Sequence, residues 1–176
     1  MSGATFLTGD AIELKTLTEK DAGIVQRMLN DPQIRQPTDR YAPAYESRVH
    51  QWISSRGEDD EINLLIYSGD NPVGLINLFS INDVFGLAEV GFGIIPEQWG
   101  NGYASDALRT MCSYAFEERG LHKVYGNAFA TNAGLQRVME KMGFQEEGIL
   151  REEAIEDGRR VDMHRYGLLA DEWLAD

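Results

Sequence analysis

The stretch Glu89-Val-Gly-Phe-Gly-Ile-Ile-Pro-Glu-Gln-Trp-Gly-Asn-Gly-Tyr-Ala-Ser105 has the order of a strand, a glycine-punctuated turn and a helix start. Gly100 and Gly102 let the backbone approach a ligand with no Cβ in between. The helix that begins there aims unpaired N–H groups and a positive dipole end at an anion. This is the chemistry of a phosphate cradle. No lysine and serine follow in P-loop order, so the main chain has to do the binding, and nucleotide hydrolysis is disfavoured. A plain nucleotide-binding module stays open on these residues alone. Gly91 and Gly93 lie in the strand that feeds the turn, where glycine marks either a bulge or a backbone approached closely by something else; both readings hold. Strand alternation puts Glu89 on the face of Gly91 and Gly93, with Val90, Phe92 and Ile94 on the other.

Outward from this segment the chain reads as one domain, residues 1–176. Ile12, Leu14 and Leu17 predict a first strand. Thr18-Glu-Lys-Asp21 has the form of a helix start, with Ile24, Val25, Met28 and Leu29 on one face until Asn30-Asp31-Pro32 ends it. Residues 31–43, with three prolines, form the least regular stretch, of the kind where substrates are often met. A second helix is predicted from Ala44 to Arg56. Ile62–Tyr67 and Val73–Phe79 predict a hairpin about Ser68–Asn71, followed by a strand at Leu87–Ile95. Beyond the glycine turn, Ala104, Leu108, Met111 and Ala115 recur at helical spacing as far as Gly120. A strand at Val124–Phe129, a helix at Asn132–Met142 and two strands about Asp157-Gly158 complete the pattern.

A formal charge of −13, with 29 acidic against 16 basic residues, repels nucleic acid and anionic membrane and disfavours both as partners. Acid excess with only Lys15, Lys20, Lys123 and Lys141 as lysines also fits an acidic protein that stays hydrated in concentrated salt, a halophile's device. Loss of folding on adding molar KCl, followed by circular dichroism, would remove that idea. The lone Cys112 excludes an internal disulfide and a cysteine-rich metal site. His50, His122 and His164 are too scattered for metal ligation, so no metal is expected. No apolar run is long enough for a membrane span, and the start of the chain lacks a basic segment followed by an apolar one; the expected location is cytoplasmic.

Trp99-Gly100-Asn101-Gly102-Tyr103-Ala104 resembles the acetyl-coenzyme A loop of the GNAT acetyltransferases, in which Gln or Arg is followed by two free positions, Gly, one free position, then Gly or Ala. Trp99 stands where the family most often has Gln or Arg. Asn132 to Phe144, Glu147-Gly148, Leu150-Arg151 and the run from Asp157-Gly158 through Asp162 to Trp173 resemble, in register, the ribosomal-protein N-acetyltransferase (RimJ/RimL-like) branch. The resemblance implies an α/β (α+β) fold: a mixed, mostly antiparallel sheet of about seven strands flanked by about four helices, two before the first hairpin and two after. It implies acetyl-CoA as acetyl donor, with main-chain amides of Gly100, Asn101, Gly102, Tyr103, Ala104 and Ser105 on the pyrophosphate beside Trp99. The strand ahead of the loop splays from its neighbour, so that Phe92, Ile94 and Ile95 offer backbone groups to the pantetheine arm. Asn132 is carried over as an amide contact to that arm, although Asn is equally a good helix N-cap.

Attack of an amine on a thioester needs a group to take a proton and a donor for the oxyanion. Glu89 is the candidate catalytic base, since members of the family often use a carboxylate on this strand. Asn127 stands where some relatives carry a glutamate, and Leu135 and Met139 stand where serine and tyrosine acids are usual, so neither acid is present. Tyr103, Tyr125 and Tyr166 receive no role. The implied reaction is direct transfer to a primary amine in a ternary complex, with a protein N-terminus as leading acceptor. A polyamine or aminoglycoside drawn to the acidic rim is the alternative, and a non-catalytic acyl-CoA-binding module is a further one. A homodimer is left open.

Overall fold

The computed structural model describes residues 3–38, 42–55 and 61–173. Strands β1 (Thr5–Thr8), β2 (Glu13–Thr16), β3 (Ile62–Ser68), β4 (Asn71–Asn82), β5 (Leu87–Ile94), β6 (Lys123–Phe129), β7 (Gln145–Glu156) and β8 (Arg159–Leu169) form one sheet in the order β1-β2-β3-β4-β5-β6-β8-β7. All pairs are antiparallel except β5 with β6. Helices α1 (Ala22–Asn30), α2 (Pro32–Arg35) and α3 (Glu46–Ser54) precede β3. Helix α4 (Tyr103–Ser113) joins β5 to β6, α5 (Ala133–Lys141) follows β6, and α6 (Ala170–Trp173) follows β8.

The two faces of the sheet bury separate cores. Alternation along β3 sends Leu64 and Ile66 one way, against Leu108 and Met111 of α4 and Met139 of α5. Leu65 and Tyr67 go the other way, against Val25 and Met28 of α1 and Val49 and Ile53 of α3. Local signals set the ends of these elements. Thr18 N–H and Oγ1 both donate to the Asp21 carboxylate, at 2.7 and 2.8 Å, and start α1. Asp157 and Gly158, both at positive φ, turn β7 into β8.

The mixed, mostly antiparallel architecture is as expected, with differences in detail. An eighth strand, β1, escaped the sequence because its four residues are mostly exposed and carry no buried alternation. Pro32 ends α1 and also opens the one-turn α2, for which Asp31 accepts from Gln33 N–H at 2.8 Å. The helix expected to reach Gly120 ends its α-helical part at Ser113 and widens into a π turn over Tyr114–Glu118. Arg56, the predicted end of α3, and residues 39–41 of the irregular stretch lie outside the described residues.

One side chain fastens α4 to the start of the chain. Asp106, buried in its first turn, accepts from Ala11 N–H at 2.7 Å and Asp10 N–H at 3.1 Å. Gly9 passes so close that a Cβ there would stand 2.8 Å from Asp106 Oδ1 and Thr110 Oγ1. Asp106→Ala removes two charge-assisted bonds and a favourable charge at a helix N-terminus. The expected loss is about 3 kcal/mol in urea unfolding, or roughly 6–12 °C in Tm.

Candidate functional site

Gly100 and Gly102 both sit at φ +81°, a left-handed conformation that glycine adopts without strain. No atom lies within 4 Å of where a Cβ would stand on either, so the outer side of the turn is open. The first helical bond of α4 runs from Asp106 N–H to the Gly102 carbonyl at 3.1 Å, which leaves the N–H groups of Tyr103, Ala104 and Ser105 without acceptors in the helix. The turn is braced from both ends. Trp99 Nε1–H donates to the Ile94 carbonyl at 2.7 Å, and Asn101 Nδ2 donates to the Gln98 carbonyl at 3.0 Å. Ser68 Oγ, on the β3–β4 turn, lies 3.0 Å from Tyr103 Oη. The departure at Trp99 thus replaces a hydrogen-bonding side chain with an indole that latches the loop to the end of its own strand.

Strand β5 stays beside β6 for three pairs only, Leu87 with Lys123, Ala88 with Val124 and Glu89 with Tyr125. Beyond them the strands part, and the gap opens toward the glycine turn. On the other side of β5, Ile95 N–H donates to the Val73 carbonyl at 2.9 Å. This bond sets the antiparallel alternation with β4. Gly93, Gly91 and Glu89 exchange bonds with β4, while the main-chain groups of Phe92 and the N–H of Ile94 turn into the gap and the Ile94 carbonyl is taken by Trp99. Phe92 and the N–H of Ile94 therefore lie on the open edge, and Ile95 does not. Its N–H goes to Val73 and its carbonyl accepts from Gln98 N–H at 2.9 Å, so both its main-chain groups are committed within the chain.

Asn132 lies across the gap, where α5 begins. Its Oδ1 caps the helix, accepting from Leu135 N–H at 3.1 Å, and no described residue accepts from its Nδ2. One group is structural and the other is available. Leu135 and Met139 follow on α5 and bring no proton donor; Met139 is buried with its methyl against Gly126.

Glu89 stands at the fork, on the same face as Tyr125 and Asn127. Asn127 Nδ2 donates to Glu89 Oε1 at 2.7 Å, and Asn127 Oδ1 accepts from Arg165 Nε at 3.2 Å. The Arg165 guanidinium lies 4.9 Å from the Tyr125 ring centroid. The Tyr125 pKa is raised by burial first and by the nearby Glu89 carboxylate next, against a lowering by Arg165. Asn127 is thus not an empty place in the inventory but the group that orients the carboxylate. The only sequence signal for it was parity, since Tyr125 and Asn127 are two apart on a strand running parallel to β5.

A groove of about 450 Å³ between β1, α4 and α6, lined by Phe6, Asp10, Arg109, Tyr114 and Trp173, contains none of the predicted site residues. Among the described residues no helix is long and apolar enough to cross a membrane.

Gly102→Ala would place a Cβ on a residue held in the left-handed region, at about 1–2 kcal/mol of strain, and the turn should relax until its N–H groups lose their common aim. Calorimetry is expected to show coenzyme A affinity lowered about tenfold, equivalent to about 1.4 kcal/mol. In Gly120→Ala, a positive-φ glycine at φ +64° remote from the turn, only Tm should fall.

Residues 11–145 match the model of a family described as an acetyltransferase (GNAT) domain. YoaA of Bacillus subtilis (strain 168), named an uncharacterized N-acetyltransferase, is 32% identical over 124 residues, 70% of this chain and 64% of its own length. YdaF of the same organism, named provisionally as a ribosomal N-acetyltransferase, is 37% identical over 109 residues, 62% of this chain and 59% of its own length. The match therefore spans less than two thirds of either relative. A spermidine N-acetyltransferase from Vibrio cholerae, solved in complex with CoA and spermine, superposes with a TM-score of 0.87 at 26% identity, covering 93% of this chain and 98% of its own. With the family match running from β2 into β7, over the glycine turn and the parted strands, the chain belongs to the GNAT family of acetyltransferases.

Proposed function

We propose that this protein transfers an acetyl group from acetyl-CoA directly to a primary amine, and that the parting of β5 from β6 beside the glycine turn is the observation that carries this reading. The pyrophosphate is assigned to the N–H groups from Gly100 to Ser105, beside Trp99. The pantetheine arm is assigned to the open edge of Phe92 and Ile94, with Asn132 Nδ2 across the gap. That course brings the thioester down the strand toward the fork. Of the two strand amides near the turn, Ile94 N–H is the one open to the thioester oxygen, because the Ile95 amide is engaged by Val73. Glu89, contacted by Asn127, takes the proton that the amine must lose. As the C–N bond forms, the C–S bond breaks, and the thiolate takes its proton from water. A thiolate of pKa about 8.5 leaves with little help, so Leu135 and Met139 in place of acids do not stop the reaction.

The acceptor is read as the N-terminal amine of a protein, in the RimJ/RimL-like manner, supported by the resemblance in register from Asn132 to Trp173 and by the relationship to YdaF. A polyamine is the second reading. It is favoured by the likeness to the Vibrio cholerae enzyme crystallised with spermine and by the charge of −13, which attracts polycations. The chain is taken as a single catalytic domain acting in the cytoplasm, with a homodimer left open.

Glu89→Gln keeps the shape and the Asn127 contact in reach but removes the base. The expected outcome is a fall in kcat/KM of about a hundredfold or more, with loss of the acid limb of the pH profile, read from thiol release with a panel of peptides, spermidine and simple amines. An unchanged rate and profile would remove Glu89 from the chemistry. Tight coenzyme A binding with no thiol from any amine would leave a binding module instead.

A further inference from the structure

The face of the sheet that carries Glu89 is covered by helices over only part of its width. The strand residues buried beneath α1 and α3 are Leu65, Tyr67 and Leu75, all on β3 and β4, and among the described residues β6 and β8 contribute none to that core. On the uncovered part Tyr125 and Asn127 are half-buried and Arg165 is exposed, so all three keep surface open to solvent. Asn127 stands opposite Arg165 across β6 and β8, and its side chain reaches Glu89 across the fork.

Arg165 is held in place without being neutralised. Its Nε donates to Asn127 Oδ1 at 3.2 Å, and its guanidinium lies over the Tyr125 ring, 4.9 Å from the centroid. These contacts fix the plane of the fork and leave its two outer nitrogens to other partners. Among the described residues no carboxylate pairs with them, although the chain carries 29 acidic residues. The acids on the neighbouring stretches of β7 and β8 are engaged elsewhere. Glu147 accepts from Lys123 Nζ at 2.6 Å, Glu146 lies 2.7 Å from His164 Nδ1, and Asp162 accepts from Glu152 N–H at 2.8 Å. A guanidinium oriented in advance, with its outer edge open, suits a carboxylate taken by two parallel bonds.

We propose that Arg165 forms an anion subsite for the acceptor, taking the carboxylate of an acidic second residue, Asp or Glu, in a peptide whose N-terminal amine lies at Glu89; this rests on the protein N-terminal reading given above. Spacing selects the second residue. Glu89 Oε1 and Arg165 Nε are joined through the Asn127 amide by two hydrogen bonds, which puts them at most about 8 Å apart. An amine at the first and a carboxylate at the second are then about 5–8 Å apart. The α-carboxylate of a free amino acid is too near its own amine, at about 3 Å, whereas a second residue begins one Cα step of about 3.8 Å farther on and carries its carboxylate to about 6–7 Å. The pyrophosphate does not compete for the guanidinium, since Ile94, short of the glycine turn, is already about 16 Å along β5 from Glu89. A polyamine, cationic along its length, would meet Arg165 with like charge.

The test is a set of tetrapeptide amides, Ala-Xaa-Ala-Ala with Glu, Gln or Lys as the second residue, assayed by thiol release with acetyl-CoA on the wild-type protein, Arg165→Gln and Arg165→Glu. Wild-type kcat/KM is expected to be about fivefold higher for the Glu peptide than for the Gln peptide, mainly through the acceptor KM, and lowest for the Lys peptide. In Arg165→Gln the ratio of Glu to Gln should fall below about twofold, and in Arg165→Glu the Lys peptide should overtake the Glu peptide. Each ratio compares substrates on one protein, so a partial loss of activity leaves it unaffected. A flat series in the wild type, or a preference of equal size in Arg165→Gln, overturns the subsite and leaves the N-terminal acceptor standing. The wild-type series decides the matter by itself if the variants fail to fold. Turnover of spermidine with none of the peptides overturns the N-terminal reading, and the subsite with it.

Discussion

Parallel pairing between β5 and β6 stops after Glu89 and Tyr125, and the proposed function depends on that parting. A strand edge with unpaired N–H and C=O groups is ordinarily a liability, open to pairing with whatever comes near. Here it is enclosed rather than blunted. Helix α4 begins just past the end of β5 and α5 follows β6, so the main-chain groups of Phe92 and the N–H of Ile94 lie between two helix starts. On one face of the sheet Val90 and Ile94 of β5 and Val124 of β6 are buried in the core shared with α4 and α5. The gap is thus a packed feature of the fold.

A chain of charge −13 is an unpromising host for a pyrophosphate until distances are compared. Surface carboxylates act through water and salt and are largely screened beyond about 8 Å at physiological ionic strength. In the proposed site the N–H groups of the first turn of α4 would act at hydrogen-bond distance with the helix dipole behind them, and that local term would prevail. Its aim depends on anchors at both sides: Asp106 ties α4 to the β1–β2 turn, and the Trp99 indole ties the loop to Ile94.

The proposed catalytic end of the gap is sparse. Glu89 is contacted by Asn127, with Arg165 behind it, while α5 packs against the opposite face of the sheet. In the proposed reaction such a site would orient one carboxylate and leave departure of the thiolate to the intrinsic quality of the leaving group. The groove by Phe6 and Trp173, on the outer side of α4, is spatially separate from this chemistry.

What the residues alone determined was local. Glycines at 100 and 102 were legible because only glycine sits without strain at φ +81°. Asn132 was legible as a cap because capping is a contact between near neighbours. The face of Glu89 followed from a period of two, and the turn at Asp157-Gly158 from its backbone signs. Tertiary structure decided everything that depends on register between distant strands. The bond from Ile95 to Val73 commits one amide and leaves Ile94 to the gap, and β6 brings Asn127 to Glu89. Cross-strand pairing also sets Arg165 beside Asn127. These are partnerships between residues far apart in the chain, and a one-residue slip in register would reverse every one of them, so no local pattern contains them.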